Sequence, residues 1–242
     1  MDQFTPNIHI QESERFGTPD YTIITAFLYM VDRNMMAALE KAPFSTRECI
    51  VLYREKEPMC SLNGDYHLIF LAVKDNFWCQ WVYQFAHEYC HHLINGPLSG
   101  EWSKMLWFEE TICELSSLYN LHMMKSYCLN NGFAFYAASV SDYLNNQLNN
   151  KGKRTFQLSE DGGWYEVYKE QLAASGYRRD LYNAIAVLIL PLFLDNPHLW
   201  KLIMHIGDIR VWQSLEDLLN HLQLKADDTY LESFLKMRRV FN

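Results

Sequence analysis

The chain reads as a single α+β domain, with a helix and a short sheet at the front, two long helices in the middle and a C-terminal half that is helical nearly throughout. Three observations predict this. Short β-branched and aromatic runs bounded by turn residues lie between residues 48 and 74; apolar residues recur at three- and four-residue spacing elsewhere; and 49% hydrophobic with 15% aromatic content over 242 residues supplies a core for one large domain.

Residues 1–20 are polar and carry Pro6, Gly17 and Pro19, so they read as an extended lead-in. Ile24, Leu28, Val31, Met35 and Leu39 then share one face of an amphipathic helix over 21–42. After Pro43, "ECIVLYRE" (48–55) and "YHLIFLAVK" (66–74) read as two adjacent strands, a hairpin in the simplest case, with Asn63-Gly64 as the turn signal between them.

With Asp75 or Asn76 as N-cap, "FWCQWVYQFAHEYCHHLI" runs as a helix and stops at Asn95-Gly96-Pro97. The next helix starts near Ser103, carries "MLWFEETICELSSLYNLHMM" and ends by Asn130-Asn131-Gly132. "NNQLNNKGKR" (145–154) is the candidate linker, dividing an N-terminal α+β part (1–144) from a helical C-terminal part (155–242) within the one domain. Five further segments are helical in pattern: "YEVYKEQLAAS", "RDLYNAIAVLILPLFL", "PHLWKLIMHI", "SLEDLLNHLQL" and "DTYLESFLKMRRVF". The apolar run Ile185–Leu194 is too short to span a bilayer and is interrupted by Pro191, so it is expected to be a buried helix.

Composition narrows the function. A net charge of −8 with no block of lysine or arginine argues against nucleic acid and against an anionic membrane surface. "MDQFTPNIHIQESERFG" lacks the basic start and apolar core of a secretion signal, and no stretch reaches membrane-spanning length, so a cytoplasmic protein is expected. The cysteines Cys49, Cys60, Cys79, Cys90, Cys113 and Cys128 form no CxxC pair, which suits reduced thiols and not a cysteine-ligated zinc knuckle.

The chemistry sits in "HEYCH", His87 to His91. Residues four apart on a helix differ in direction by only about 40°, so two imidazoles converge on one metal ion. Glu88 lies about 100° round from His87, placed to reach a water on the metal without ligating it. Chance would place such a pattern in about 2 of 100 shuffled chains of this composition, and its position inside a predicted helix lowers that further. Catalytic zinc needs a third protein ligand and an open position. Glu110 follows nineteen residues after His91 on the next predicted helix.

In these residues the chain resembles the gluzincin group of zinc metallopeptidases, the thermolysin-like and aminopeptidase-like enzymes in which H-E-x-x-H is followed one helix later by a glutamate ligand. The resemblance covers residues 87–114 and the strand-strand-helix-helix order around them. It implies a minimal zincin-like fold, one zinc ion per chain on His87, His91 and Glu110, and a peptide or protein substrate. Glu88 would be the general base, and Glu114 would hold the free ring nitrogen of His87. The group often has E-x-x-x-D on the second helix; here Glu114 stands where Asp is common. Glu109 is the rival ligand, but its i+4 neighbour is Cys113, which cannot orient an imidazole as a carboxylate can; Glu101 ranks below both. A zinc-binding module of the same fold without turnover is the alternative, and the intact Glu88 speaks against it.

The group also uses a Tyr or His donor to stabilise an oxyanion. Tyr177, Tyr182 and His205 lie where it would come, and none is singled out among 15 tyrosines. Such enzymes hold an extended peptide against an edge strand, a role the sequence suggests for "HLIFLAVK". His92 points about 100° away from His91 and reads as a hydrogen-bonded neighbour. Cys90, Cys113 and the tryptophans at 78, 81, 102 and 107 read as packing around the two helices.

Overall fold

In the computed structural model of the protein, residues 8–40, 48–63, 66–94, 104–149, 156–174 and 178–241 are described. The architecture is mixed α+β. Four strands form one sheet in the order β1 (Ile8–Ile10), β2 (Glu48–Tyr53), β4 (Tyr66–Leu71), β3 (Met59–Asn63). β1, β2 and β4 are parallel, and β3 runs antiparallel to β4 at the edge.

Two strand expectations are corrected here. "ECIVLYRE" and "YHLIFLAVK" do pair, but in parallel, because the connecting segment supplies β3 and crosses to the far side of β4. "HLIFLAVK" is therefore an inner strand, and the free edge beside it belongs to β3. The short strand β1 likewise emerges from a lead-in that looked irregular. Neither β1 nor β3 carries a continuous apolar run, since an edge strand buries only one side. Of the Asn63-Gly64 turn signal, Asn63 ends β3 and Gly64 falls outside the described residues, as do the expected helix stop at 95–97 and the expected helix start at Ser103.

α1 (Tyr21–Leu39) is capped by the Asp20 carboxylate, which accepts from the Thr22 and Ile23 amides at 3.1 and 3.2 Å. Its five spaced apolar residues are all buried. They meet Cys49 and Val51 of β2 and Ile69 and Leu71 of β4 in one core. Each such fully buried side chain contributes roughly 1.5–3 kcal/mol.

α2 (Trp78–Leu93) packs across β4 and β3 and against α1. The predicted N-cap residues are used otherwise: Asp75 Oδ1 accepts from the Thr18 amide and Asn76 Oδ1 from the Asp20 amide, so both tie the turn before α1 to the start of α2, which has no side-chain cap. The Gln84 carboxamide clamps both polar groups of Ala72, at 2.9 and 3.2 Å, and fixes the helix over the sheet.

α3 (Leu106–Asn130) runs antiparallel to α2. Ser116 and Ser117 donate to the Ala86 and Tyr83 carbonyls of α2 at 2.9 and 2.7 Å, small hydroxyls that let two buried helices approach closely. Around them Trp81, Phe85, Trp107 and Phe108 are buried in the core, as is Trp78.

α4 (Ala137–Leu148) occupies the start of the expected linker. Val140 and Leu144 form a buried stripe, and Asn149 donates to the Asn145 carbonyl, so the polar composition of 145–148 marks a solvated helix face and not a loop. The C-terminal half continues with α5 (Trp164–Ala173), α6 (Arg179–Asp195), a 3-10 turn (Pro197–Leu202) leading into α7 (Ile203–Ile206), then α8 (Leu215–Lys225) and α9 (Leu231–Phe241). α6 lies against α3. Among the described residues no single helix is long and apolar enough to cross a membrane; α6 with the following Pro197–Ile206 segment is apolar enough jointly but bends by 119°.

Candidate metal centre

α2 and α3 present their polar residues to each other in antiparallel register. His91 faces Glu109, and His87 faces Glu114 one turn along, with Glu110 between them. One donor atom each from His87, His91 and Glu110 lies within 4.8 Å of the others, a group that could hold a metal ion.

The ring orientations matter more than the proximity. His87 Nε2 is 3.3 Å from Glu110 Oε2, and His91 Nε2 is 3.7 Å from Glu110 Oε1. Tetrahedral ligands at about 2.1 Å from a zinc ion stand roughly 3.4 Å apart, so these separations suit three corners of such a site. Behind each ring is a second carboxylate: Glu109 Oε1 lies 2.6 Å from His91 Nδ1, and Glu114 Oε2 lies 3.7 Å from His87 Nδ1. Backing of this kind fixes the tautomer and keeps the Nε2 lone pair for the metal.

The pattern of satisfaction gives a second test of fit. Glu114 is 2% exposed, and among the described residues its Oε2 has no hydrogen-bond partner. A metal on His87 Nε2 would require the ring proton on Nδ1, and that proton faces the orphaned oxygen. Two imidazoles and one carboxylate are a donor set that a zinc ion would accept.

The charges are coupled accordingly. Burial opposes the charged form of His87, but Glu110 and Glu114 outweigh it and push the imidazole up to about 10. His91 is raised too, with burial again opposing and Glu109 prevailing. Glu114 is lowered despite its burial because His87, Tyr83 and Asn183 all favour its anion. A metal ion bound at neutral pH would have to displace a proton from His87.

Glu88 is buried beside His87 and stands outside the His87, His91 and Glu110 group, and β3 brings the Cys60 thiol within its electrostatic reach. Burial, then the charges of Glu88 and Glu109, keep that thiol protonated. His92 turns to the sheet: its Nδ1 lies 2.8 Å from His67 Nδ1 and its Nε2 3.4 Å from the Leu68 carbonyl. Cys90 and Cys113 are fully buried free thiols. Of the oxyanion candidates, Tyr182 is buried on α6, where burial first and the Glu110 charge among lesser causes raise its hydroxyl. His205 sits with Asp208 and His221 instead. Tyr177, Glu101 and Trp102 lie outside the described residues.

Sequence reasoning treated Glu109 only as a rival ligand and missed its place behind His91. The signal was available: two histidine ligands need two backing carboxylates, and the facing helix offers Glu109 and Glu114 on either side of Glu110. Tyr83 and Asn183, which hold Glu114, were also missed; Tyr83 sits four residues before His87 on the same helix face, while Asn183 had no local signal.

Comparison with protein-family models, with curated proteins and with solved structures finds no match to this chain.

Proposed function

We propose that the protein is a zinc-dependent metallopeptidase of the minimal zincin type, with His87, His91 and Glu110 as ligands and Glu88 as general base. One observation carries the reading: both imidazoles turn Nε2 toward one shared carboxylate while each Nδ1 meets a different one. Buried histidines that merely pack have no reason to divide four ring nitrogens in this way.

A zinc ion held by His87, His91 and Glu110 would supply Lewis-acid chemistry and water activation. Glu88 would accept the proton given up during attack on a peptide carbonyl and return it to the leaving amine. Glu109 meets His91 Nδ1 at 2.6 Å, and Glu114 Oε2, aimed at His87 Nδ1, would accept from that ring once metal fixed its tautomer. An extended peptide would pair with β3, the edge strand beside β4 and α2.

The test is elemental analysis of purified wild type, Glu110→Ala and Glu88→Gln, alongside a peptide-hydrolysis screen. About one zinc per chain, absent from Glu110→Ala, is the expected result. Glu88→Gln should keep its zinc and lose roughly 10²- to 10⁴-fold in turnover. Wild type that takes up no zinc after metal is added back would refute the proposal, and zinc without hydrolysis of any peptide would leave a non-catalytic zinc module.

A further inference from the structure

Glu114 is held from two directions. Its Oε1 accepts from the Tyr83 hydroxyl on α2 and from Asn183 Nδ2 on α6. Its Oε2 accepts from neither and lies 3.7 Å from His87 Nδ1. A carboxylate with one oxygen pinned by two donors has its other oxygen fixed in direction, and here that direction is the imidazole.

We propose that Asn183 is a positioning residue for the metal centre, through which helix α6 of the C-terminal half sets the ligating state of His87. The inference rests on the metal-centre reading above. A neutral imidazole carries one proton, and the hydrogen bond made by one nitrogen decides which. With Oε1 already taken, Oε2 is left to accept from Nδ1–H, and the Nε2 lone pair is left to face Glu110. Remove the donor on α6 and the carboxylate can turn, so that either oxygen, or neither, meets the ring.

Asn183 is itself 2% exposed, and its Oδ1 has no hydrogen-bond partner among the described residues. A buried amide satisfied only at its nitrogen costs stability, so packing alone gives no reason for an asparagine at this point of an otherwise apolar helix. Its donor to Glu114 does. Because α6 packs along α3 and carries this donor, a change that withdraws Asn183 from Glu114 weakens metal binding, and bound metal strengthens that one contact by the same factor.

Cobalt(II) titration of the full-length chain tests this, with visible absorption reporting ligand geometry and chelator competition reporting affinity. Asn183→Leu should bind roughly 10- to 100-fold more weakly, with displaced cobalt bands. Ile185→Ala, fully buried on the same helix, should lower the melting temperature while keeping the wild-type spectrum and affinity. Wild-type spectrum and affinity in Asn183→Leu would overturn the proposal. Should that variant not fold, Asn183→Asp, which keeps the volume and exchanges the donor for an acceptor, is read in the same way. Wild type without cobalt bands overturns the metal centre itself, and this inference with it, whereas a normal wild type beside an unaltered Asn183 variant overturns the inference alone.

Discussion

His87, His91 and Glu110 in the front part of the chain, and His205, Asp208 and His221 in the helical C-terminal half, each combine two imidazoles with one carboxylate. In the second cluster both imidazoles aim at one oxygen: His221 Nε2 and His205 Nδ1 lie 2.9 and 3.3 Å from Asp208 Oδ2. Those side chains keep 21–27% of their exposure, and among the described residues no carboxylate meets the other nitrogen of either ring. Asp208 is lowered, with burial opposing and the two histidines prevailing. In the first cluster the rings meet different oxygens of Glu110 and are backed from behind, and no member exceeds 13% side-chain exposure. The difference teaches that histidine count is a poor guide. What matters is whether lone pairs converge on a point that hydrogen bonds have not already consumed.

The widest separation between the two clusters should come from histidine removal. His91→Ala is expected to abolish zinc retained through gel filtration, whereas His205→Ala and His221→Ala should each keep the wild-type content. Elemental analysis decides it, and zinc lost from His221→Ala would move the site to the other cluster.

A smaller effect isolates the backing carboxylates. Glu109→Ala, which leaves every proposed ligand in place, should weaken zinc roughly 10- to 100-fold in chelator competition. Asp208→Asn should leave zinc affinity unchanged. Equal affinities in wild type and Glu109→Ala would mean that the 2.6 Å contact to His91 is incidental to metal binding.

The smallest expected effect is in pH dependence. His87 rises from an ordinary 6.5 to about 10 in the fold. A raised base stabilises the fold below its unfolded value, and that contribution is lost as pH climbs through the folded value. Metal-free protein should therefore lose melting temperature between pH 6.5 and about 10, while the increment added by zinc grows over the same window because fewer protons compete for Nε2. Parallel melts with chelator and with zinc check both slopes. A zinc increment that shrinks as pH rises would contradict the assignment of His87 as a ligand.

Much of this was legible in the residues. The stripe Ile24, Leu28, Val31, Met35, Leu39 and the extent of α3 follow from a helix period that any local window reveals. The pairing of His87 with His91, and of Glu110 with Glu114, follows from the same period. The edge strands are too short to show a period, whereas the residues before α2 and the first turn of the expected linker are polar for tertiary reasons: Asp75 and Asn76 answer the backbone of residues 18 and 20 and not their own helix.

By itself, then, the sequence determined which residues share a helix face, and with that two histidines and an adjacent glutamate on α2 and a set of glutamates on α3. Only the tertiary structure decided how those glutamates divide their work, with Glu110 between the rings, Glu109 behind His91 and Glu114 behind His87. It alone brought β3 to the edge and Asn183 to Glu114 across 69 residues of chain. The reason is physical: helical periodicity is a property of neighbours within a turn or two, whereas the register of two packed helices is set by side-chain interlock and by hydrogen bonds such as Ser116 and Ser117 to α2, which no local window contains.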